Sequence, residues 1–163
     1  GYLHMDFKPE NLLIKEDGHV VLIDFDLALK RKRHPIHLHH VPGTPAYLAP
    51  EILLHRRVDE RSDIFSLGVT AFETLTGHKP FEGASVDEAR ALQADAHVRP
   101  PDPRRYEASI PAALSAVVAK CLAKDPEARY PAMFFVVIRR QARSTPYFTL
   151  GPEAPPAPAG MWC

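Results

Sequence analysis

His4-Met5-Asp6-Phe7-Lys8-Pro9-Glu10-Asn11, answered further on by Asp24-Phe25-Asp26, decides how this chain is read. Asp6, Lys8, Asn11 and Asp24 place carboxylate, ammonium and amide groups at fixed spacings. Leu12-Leu13-Ile14 and Val20-Val21-Leu22-Ile23 are short apolar runs, the second largely β-branched, which is strand composition. Asp17-Gly18 between them is a hairpin turn signal. A hairpin returns the chain to its starting point, so the pattern predicts Asn11 and Asp24 side by side. Oxygen donors of this kind suit a hard cation such as Mg²⁺. Lys8 suits a phosphate as a point charge, and Asp6 is left as a base.

Working outward, residues 27–49 are read as irregular and rich in His, Arg, Lys and Pro, and Gly43-Thr44-Pro45-Ala46-Tyr47-Leu48-Ala49-Pro50-Glu51 ends the loop. Pro50 suits a first helical turn, which predicts a short helix over Glu51 to Leu54. A longer helix is expected from Ser62 to Thr76, with Ser62 as N-cap, Asp63 in the first turn and Gly77 as its stop. Its Ile64, Phe65, Leu67, Val69, Ala71, Phe72 and Leu75 cover most of the circumference, as in a buried helix. Further helices are predicted from Ser85 to Ala96 and from Ile110 to about Ala123. In the latter Leu114, Val117, Val118, Cys121 and Leu122 form one stripe. Cys121 on that stripe reads as a small core residue rather than a nucleophile. A last helix is expected over Ala132 to Arg143. The Pro/Ala/Gly-rich end is expected to be disordered, which divides the chain into a folded unit, 1–145, and a tail, 146–163. The fold class expected is mainly α with a small β-hairpin, within the α+β class.

The opening stretch resembles the catalytic loop of the eukaryotic-like Ser/Thr protein kinases, H-R-D-x-K-x-x-N followed by D-F-G. Gly43 to Glu51 is similar to that family's G-T-x-x-Y-x-A-P-E segment, Ser62 to Val69 to its central helix, and Lys124-Asp125-Pro126-Glu127-Ala128-Arg129 to its K-D-P-x-x-R turn. The resemblance implies the large, C-terminal lobe of a kinase, moving the γ-phosphate of ATP to a protein Ser or Thr hydroxyl. It implies Asp6 as catalytic base, Lys8 at the γ-phosphate, and Thr44 hydrogen-bonded to both. Asn11 and Asp24 are implied as Mg²⁺ ligands and Leu13 as the floor under adenine. His4, Phe25, Asp63 and the pair Glu51 with Arg129 are implied as structural support.

Two positions depart from the family pattern. Met5 stands where many members carry an Arg that binds a phosphate on the activation loop. Residues 27–43 contain no Ser, Thr or Tyr, so receptor charge and acceptor hydroxyls are missing together. The expectation is a kinase not switched by phosphorylation there. Asp26 stands where the family has Gly, and Asp tolerates a left-handed backbone less readily. This leaves an active enzyme with a less mobile loop beside a degraded pseudokinase. His34, His37, His39 and His40 have a spacing that neutral imidazoles can use for Zn²⁺, but lack Cys partners. The Lys30-Arg31-Lys32-Arg33 run is read as a solvated face, with a preference for acidic substrate as the alternative.

The 163 residues, 45% hydrophobic and 25% charged, fit a globular domain. A formal net charge of +0 gives no global reason for nucleic-acid or membrane binding. Two Cys make no disulfide framework, and no apolar run reaches membrane-spanning length. Together these point to a cytoplasmic protein, and the resemblance implies a protein substrate as its partner. The chain enters the motif at His4 and contains no G-x-G-x-x-G, so it is expected to be a partial domain with weak ATP binding and negligible turnover on its own. The alternative function is a pseudokinase or truncated lobe that serves as a protein-binding module.

Overall fold

The computed structural model describes residues 1–131 and two later strands, Val136–Arg139 and Tyr147–Leu150. The predicted hairpin forms: β2 (Leu12–Ile14) pairs antiparallel with β3 (Val20–Leu22), in the register Leu12 to Leu22. Two short ribbons flank it. β1 (Tyr2–Leu3) pairs with β4 (Leu29–Lys30), and β5 (Ile36–His37) pairs with β6 (Arg57–Val58). The basic stretch after Asp24 is thus stitched to the rest of the chain at two places.

Among the described residues there are four α-helices, α1 (Pro50–His55), α2 (Glu60–Thr76), α3 (Val86–Ala94) and α4 (Ala112–Cys121). Helix α2 is the axis of the core, with Phe65, Val69 and Phe72 fully buried. Its Gly68 lets α4 approach closely: a Cβ there would stand 2.8 Å from Cβ of Cys121. Leu114, Val118 and Leu122 of the predicted stripe complete the packing. Each large apolar side chain buried here contributes about 1.5–3 kcal/mol, and the same core takes in Leu3, Met5, Ile52 and Val58 from other elements. Cys121 is buried and its thiol is pushed up to about 12 by that burial, so it is unreactive packing.

Several boundaries differ from expectation. Helix α2 begins before Ser62, because Asp59 is the cap: its carboxylate accepts the Arg61 N–H at 2.8 Å. Ser62 sits in the first turn and accepts the Asp59 N–H at 3.4 Å, a capping box. The helix expected over Ala132 to Arg143 is replaced at Val136–Arg139 by a strand pairing with Tyr147–Leu150. β-branched Val136, Val137 and Ile138 favour extended backbone over helix. The rest of that span lies outside the described residues. The strand Tyr147–Leu150 falls inside the span expected as tail, and residues 151–163 lie outside those described.

Candidate active site

The site begins with a clamp on the backbone. Asp63, in the first turns of α2, accepts the N–H of His4 at 2.6 Å and of Met5 at 2.9 Å. Burial pushes its carboxyl up, and the two N–H bonds oppose that shift. The clamp holds Met5 at φ 71, a left-handed conformation costly for a non-Gly residue. The Met5 side chain enters the apolar core at 3% exposure, so no cation faces the loop from this position.

One residue on, Asp6 is the hub. Its Oδ2 accepts Lys8 Nζ at 2.6 Å and Asn11 Nδ2 at 3.2 Å. Its Oδ1 accepts the Thr44 hydroxyl at 3.0 Å and the Thr44 N–H at 3.2 Å. Lys8 Nζ also reaches Thr44 Oγ1 at 3.4 Å. Burial pushes the Asp6 carboxyl up, but the bonds from Lys8 and Thr44 outweigh it and hold the group below its ordinary value. The Lys8 ammonium is raised, chiefly by its bond to Asp6, with Glu10 and Asp24 adding smaller attraction. Thr44 can come this close because Gly43, at φ +80, has no side chain: a Cβ there would meet the Met5 carbonyl at 2.8 Å.

Asn11 and Asp24 are joined by the hairpin. The Ile23 N–H donates to the Asn11 carbonyl at 3.0 Å, which puts Asp24 one residue from that pairing. Asn11 Nδ2 gives hydrogen bonds to the Asp6 carbonyl at 2.8 Å and to its carboxylate, which leaves Oδ1 as acceptor. Asp24 is exposed, at φ 64. The left-handed residue of Asp24-Phe25-Asp26 is therefore the first one, and Asp26, absent from the positive-φ residues, carries no such strain. One amide oxygen and one exposed carboxylate, whose Oδ1 accepts the Asp26 N–H at 3.5 Å, fit a hard cation that takes its other ligands from phosphate and water. Among the described residues no group of three or more His, Cys, Asp or Glu is gathered to hold a metal alone, the loop imidazoles included.

His4 links the clamp to the hairpin. Its Nδ1 accepts the Asp6 N–H at 3.3 Å, so Nε2 carries the proton and donates to the Ile23 carbonyl at 3.0 Å. Its ring lies 4.8 Å from that of Phe25 and 5.0 Å from that of Phe7. Phe25 is otherwise exposed, as is Leu13 on β2. Leu13 thus stands apart from the Asp6 network.

The segment bearing Thr44 is fixed from behind by residues the sequence did not single out. Tyr47 Oη donates to Glu73 at 2.6 Å, and the Tyr47 carbonyl accepts Ser66 Oγ at 2.7 Å. Gln93, 1% exposed, donates to the carbonyls of Pro45 and Leu48. Gln93 gives no local signal; only its burial on α3 exposes the role. Glu51 and Arg129 meet as expected, in a fork with both oxygens at 2.8 Å. Arg129 also donates to the carbonyls of Ala123, Arg61 and Lys124, so every guanidinium nitrogen is used.

With this geometry in hand, the comparisons with known proteins can be set beside it. The family model of the protein kinase domain matches residues 1–148. The chain is 41% identical over 138 residues to serine/threonine-protein kinase Pkn1 of Myxococcus xanthus, covering 80% of this chain and 19% of that protein. It is 40% identical over 131 residues to PknL of Mycobacterium tuberculosis (80% and 32%) and 41% identical over 135 residues to PknB of Mycolicibacterium smegmatis (80% and 21%), both serine/threonine-protein kinases. The chain spans less than a third of the length of each of these relatives.

Proposed function

Since the chain belongs to the protein kinase domain family, we propose that it is the large-lobe part of a Ser/Thr protein kinase that transfers the γ-phosphate of ATP to a protein Ser or Thr. The observation that carries this reading is the single carboxylate of Asp6 held at once by Lys8, Asn11 and Thr44. Asp6 stays ionised and faces a hydroxyl acceptor as a base: it orients the Ser or Thr O–H and takes its proton as the oxygen attacks phosphorus. Lys8, fixed between Asp6 and Thr44, offsets negative charge next to the acceptor. Asn11 Oδ1 and Asp24 would hold Mg²⁺, and Mg²⁺-bound ATP would supply the phosphoryl group and neutralise its charge. Positioning and charge stabilisation account for most of the rate gain in such chemistry.

On this reading the catalytic lobe takes in residues 1–145 and the strand Tyr147–Leu150, which pairs with Val136–Arg139. Control of activity does not run through phosphorylation of residues 27–43: they lack hydroxyls, and β4 and β5 already tie them down. Among the described residues no helix is long and apolar enough to cross a membrane, and a cytoplasmic site of action is part of the proposal.

The test is phosphotransfer by the full-length protein with labelled ATP, Mg²⁺ and a protein substrate, beside Asp24→Asn. Label on Ser and Thr that falls at least about 100-fold in the variant supports the proposal. Partner binding without any Mg²⁺-dependent transfer, in either protein, would replace it with the binding-module reading.

A further inference from the structure

The chain is neutral as a whole, yet its charge is segregated. Between Asp26 and Asp59 the only carboxylate is Glu51, and Arg129 occupies it. The same span holds Lys30-Arg31-Lys32-Arg33, a group of His residues and His55-Arg56-Arg57. The fold brings these two basic stretches together. His37 pairs with Arg57 in the β5–β6 ribbon, the Leu38 N–H donates to the Arg56 carbonyl at 2.8 Å, and Arg56 reaches back to the His39 carbonyl at 3.2 Å.

Strand alternation then sorts the side chains. Leu38 and Val58 turn inward and are buried, while His37, His39 and Arg57 are exposed. Arg57 and the His37 and His39 side chains are thus on one outward face. Beside it, Arg31 is paired with Glu60, and Arg61 is paired with Asp59 and Glu127. Lys32 and Arg33 are exposed and have no carboxylate partner among the described residues. They line a cleft of about 290 Å³ whose two carboxylates, Asp59 and Glu60, are the ones already paired with Arg61 and Arg31.

We propose that this face, the β5–β6 ribbon with Lys32 and Arg33, docks an Asp/Glu-rich segment of the protein substrate. The proposal rests on the kinase reading above. Charge complementarity names an anionic partner. No Phe, Tyr or Trp lies between Asp26 and Ala46, which leaves only His and Arg side chains to stack on nucleic-acid bases and favours a protein partner. The apolar members of the ribbon point into the core, so it has nothing to insert into a lipid surface. The same loop runs on to Thr44, which is bonded to Asp6, so a substrate held on this face is led to the acceptor position.

The test uses the full-length protein, its Lys32→Glu/Arg33→Glu variant and, separately, Arg57→Glu. Fluorescence anisotropy compares one labelled peptide carrying a run of Glu with its Gln counterpart, and kcat and KM are measured for acceptor peptides with the same two flanks. The expected result is at least tenfold tighter binding of the Glu peptide at low salt, weakening as salt screens it. Each variant should lose that preference through KM while keeping kcat on the Gln peptide. Equal affinity for the two peptides, or a preference that survives both variants, overturns the proposal. So does tighter binding of single-stranded RNA or of phosphatidylserine vesicles that the variants abolish. Anisotropy needs no turnover, so a Glu preference without phosphotransfer supports docking while contradicting the proposed activity. Transfer that ignores the flank, with equal affinities, does the reverse.

Discussion

Thr44 gives Oδ1 of Asp6 two hydrogen bonds, one from its hydroxyl and one from its backbone N–H. Removing the hydroxyl leaves the backbone bond and frees one side of the carboxylate to rotate. Thr44→Ala should therefore lower kcat of the full-length protein by about 10- to 100-fold. Thr44→Ser, which keeps the oxygen, should restore most of it; equal losses in both would show that the hydroxyl does not position Asp6. Met5 and Asp26, the two departures from the family pattern, separate at this scale. Met5 is part of the core, under strain that the Asp63 clamp holds in place. Asp26 is exposed and unstrained, which removes the backbone argument against an active site.

Among the elements, the fork between Glu51 of α1 and Arg129 ties the end of the Thr44 segment to the turn after α4. The Arg129 side chain is 0% exposed, and loss of its partner strands a buried charge. Arg129→Ala should destabilise the protein by about 3–5 kcal/mol, seen as a lower melting temperature. Replacing both residues by apolar ones of similar volume should recover much of that. The cap of α2 has a pH signature. Burial pushes the Asp59 carboxyl up, but the Arg61 bonds outweigh it and hold it below its ordinary 3.8. The stability it contributes is present above that value and is lost as pH falls through the lower folded value. Asp59→Ala should cost about 1 kcal/mol at neutral pH, and the gap to the native protein in denaturation should narrow as pH falls below 3.8 and through the lower folded value.

These elements also show what could be read beforehand. Asn11 and Asp24 were legible as neighbours because one hairpin joins them, and a hairpin's geometry follows from its turn and strand residues; Asp6 and Lys8 precede it and were legible through the spacing of the motif. Glu51 with Arg129 was legible only through the family resemblance, since no periodicity joins residues so far apart. Gln93 and Tyr47 were missed because their role lies in tertiary contacts to carbonyls and to Glu73, which leave no local pattern. The cap of α2 was misplaced to Ser62 because Asp59 and Ser62 are both good caps and only the start of the helix decides between them. The strand at Val136 was overlooked because an apolar run fits helix or strand until a pairing partner is found.

At the scale of the whole molecule, the lobe is a platform with an open top. Leu13 and Ile14 on β2, the strand that follows Asn11, and Phe25, next to Asp24, are exposed. Exposed apolar groups beside phosphate-type ligands suit a nucleotide held between this face and other residues of the full-length protein. The basic ribbon lies on the loop leading to Thr44, which gives the substrate a separate approach. Both surfaces serve one carboxylate. The most direct measurement is phosphotransfer by the full-length protein beside its Asp6→Asn variant, which keeps an acceptor oxygen for Lys8 and Thr44 but cannot take a proton at neutral pH. The account predicts kcat lower by about 10²- to 10⁴-fold with ATP affinity nearly unchanged. A variant that transfers phosphate within a few-fold of the native rate would contradict it.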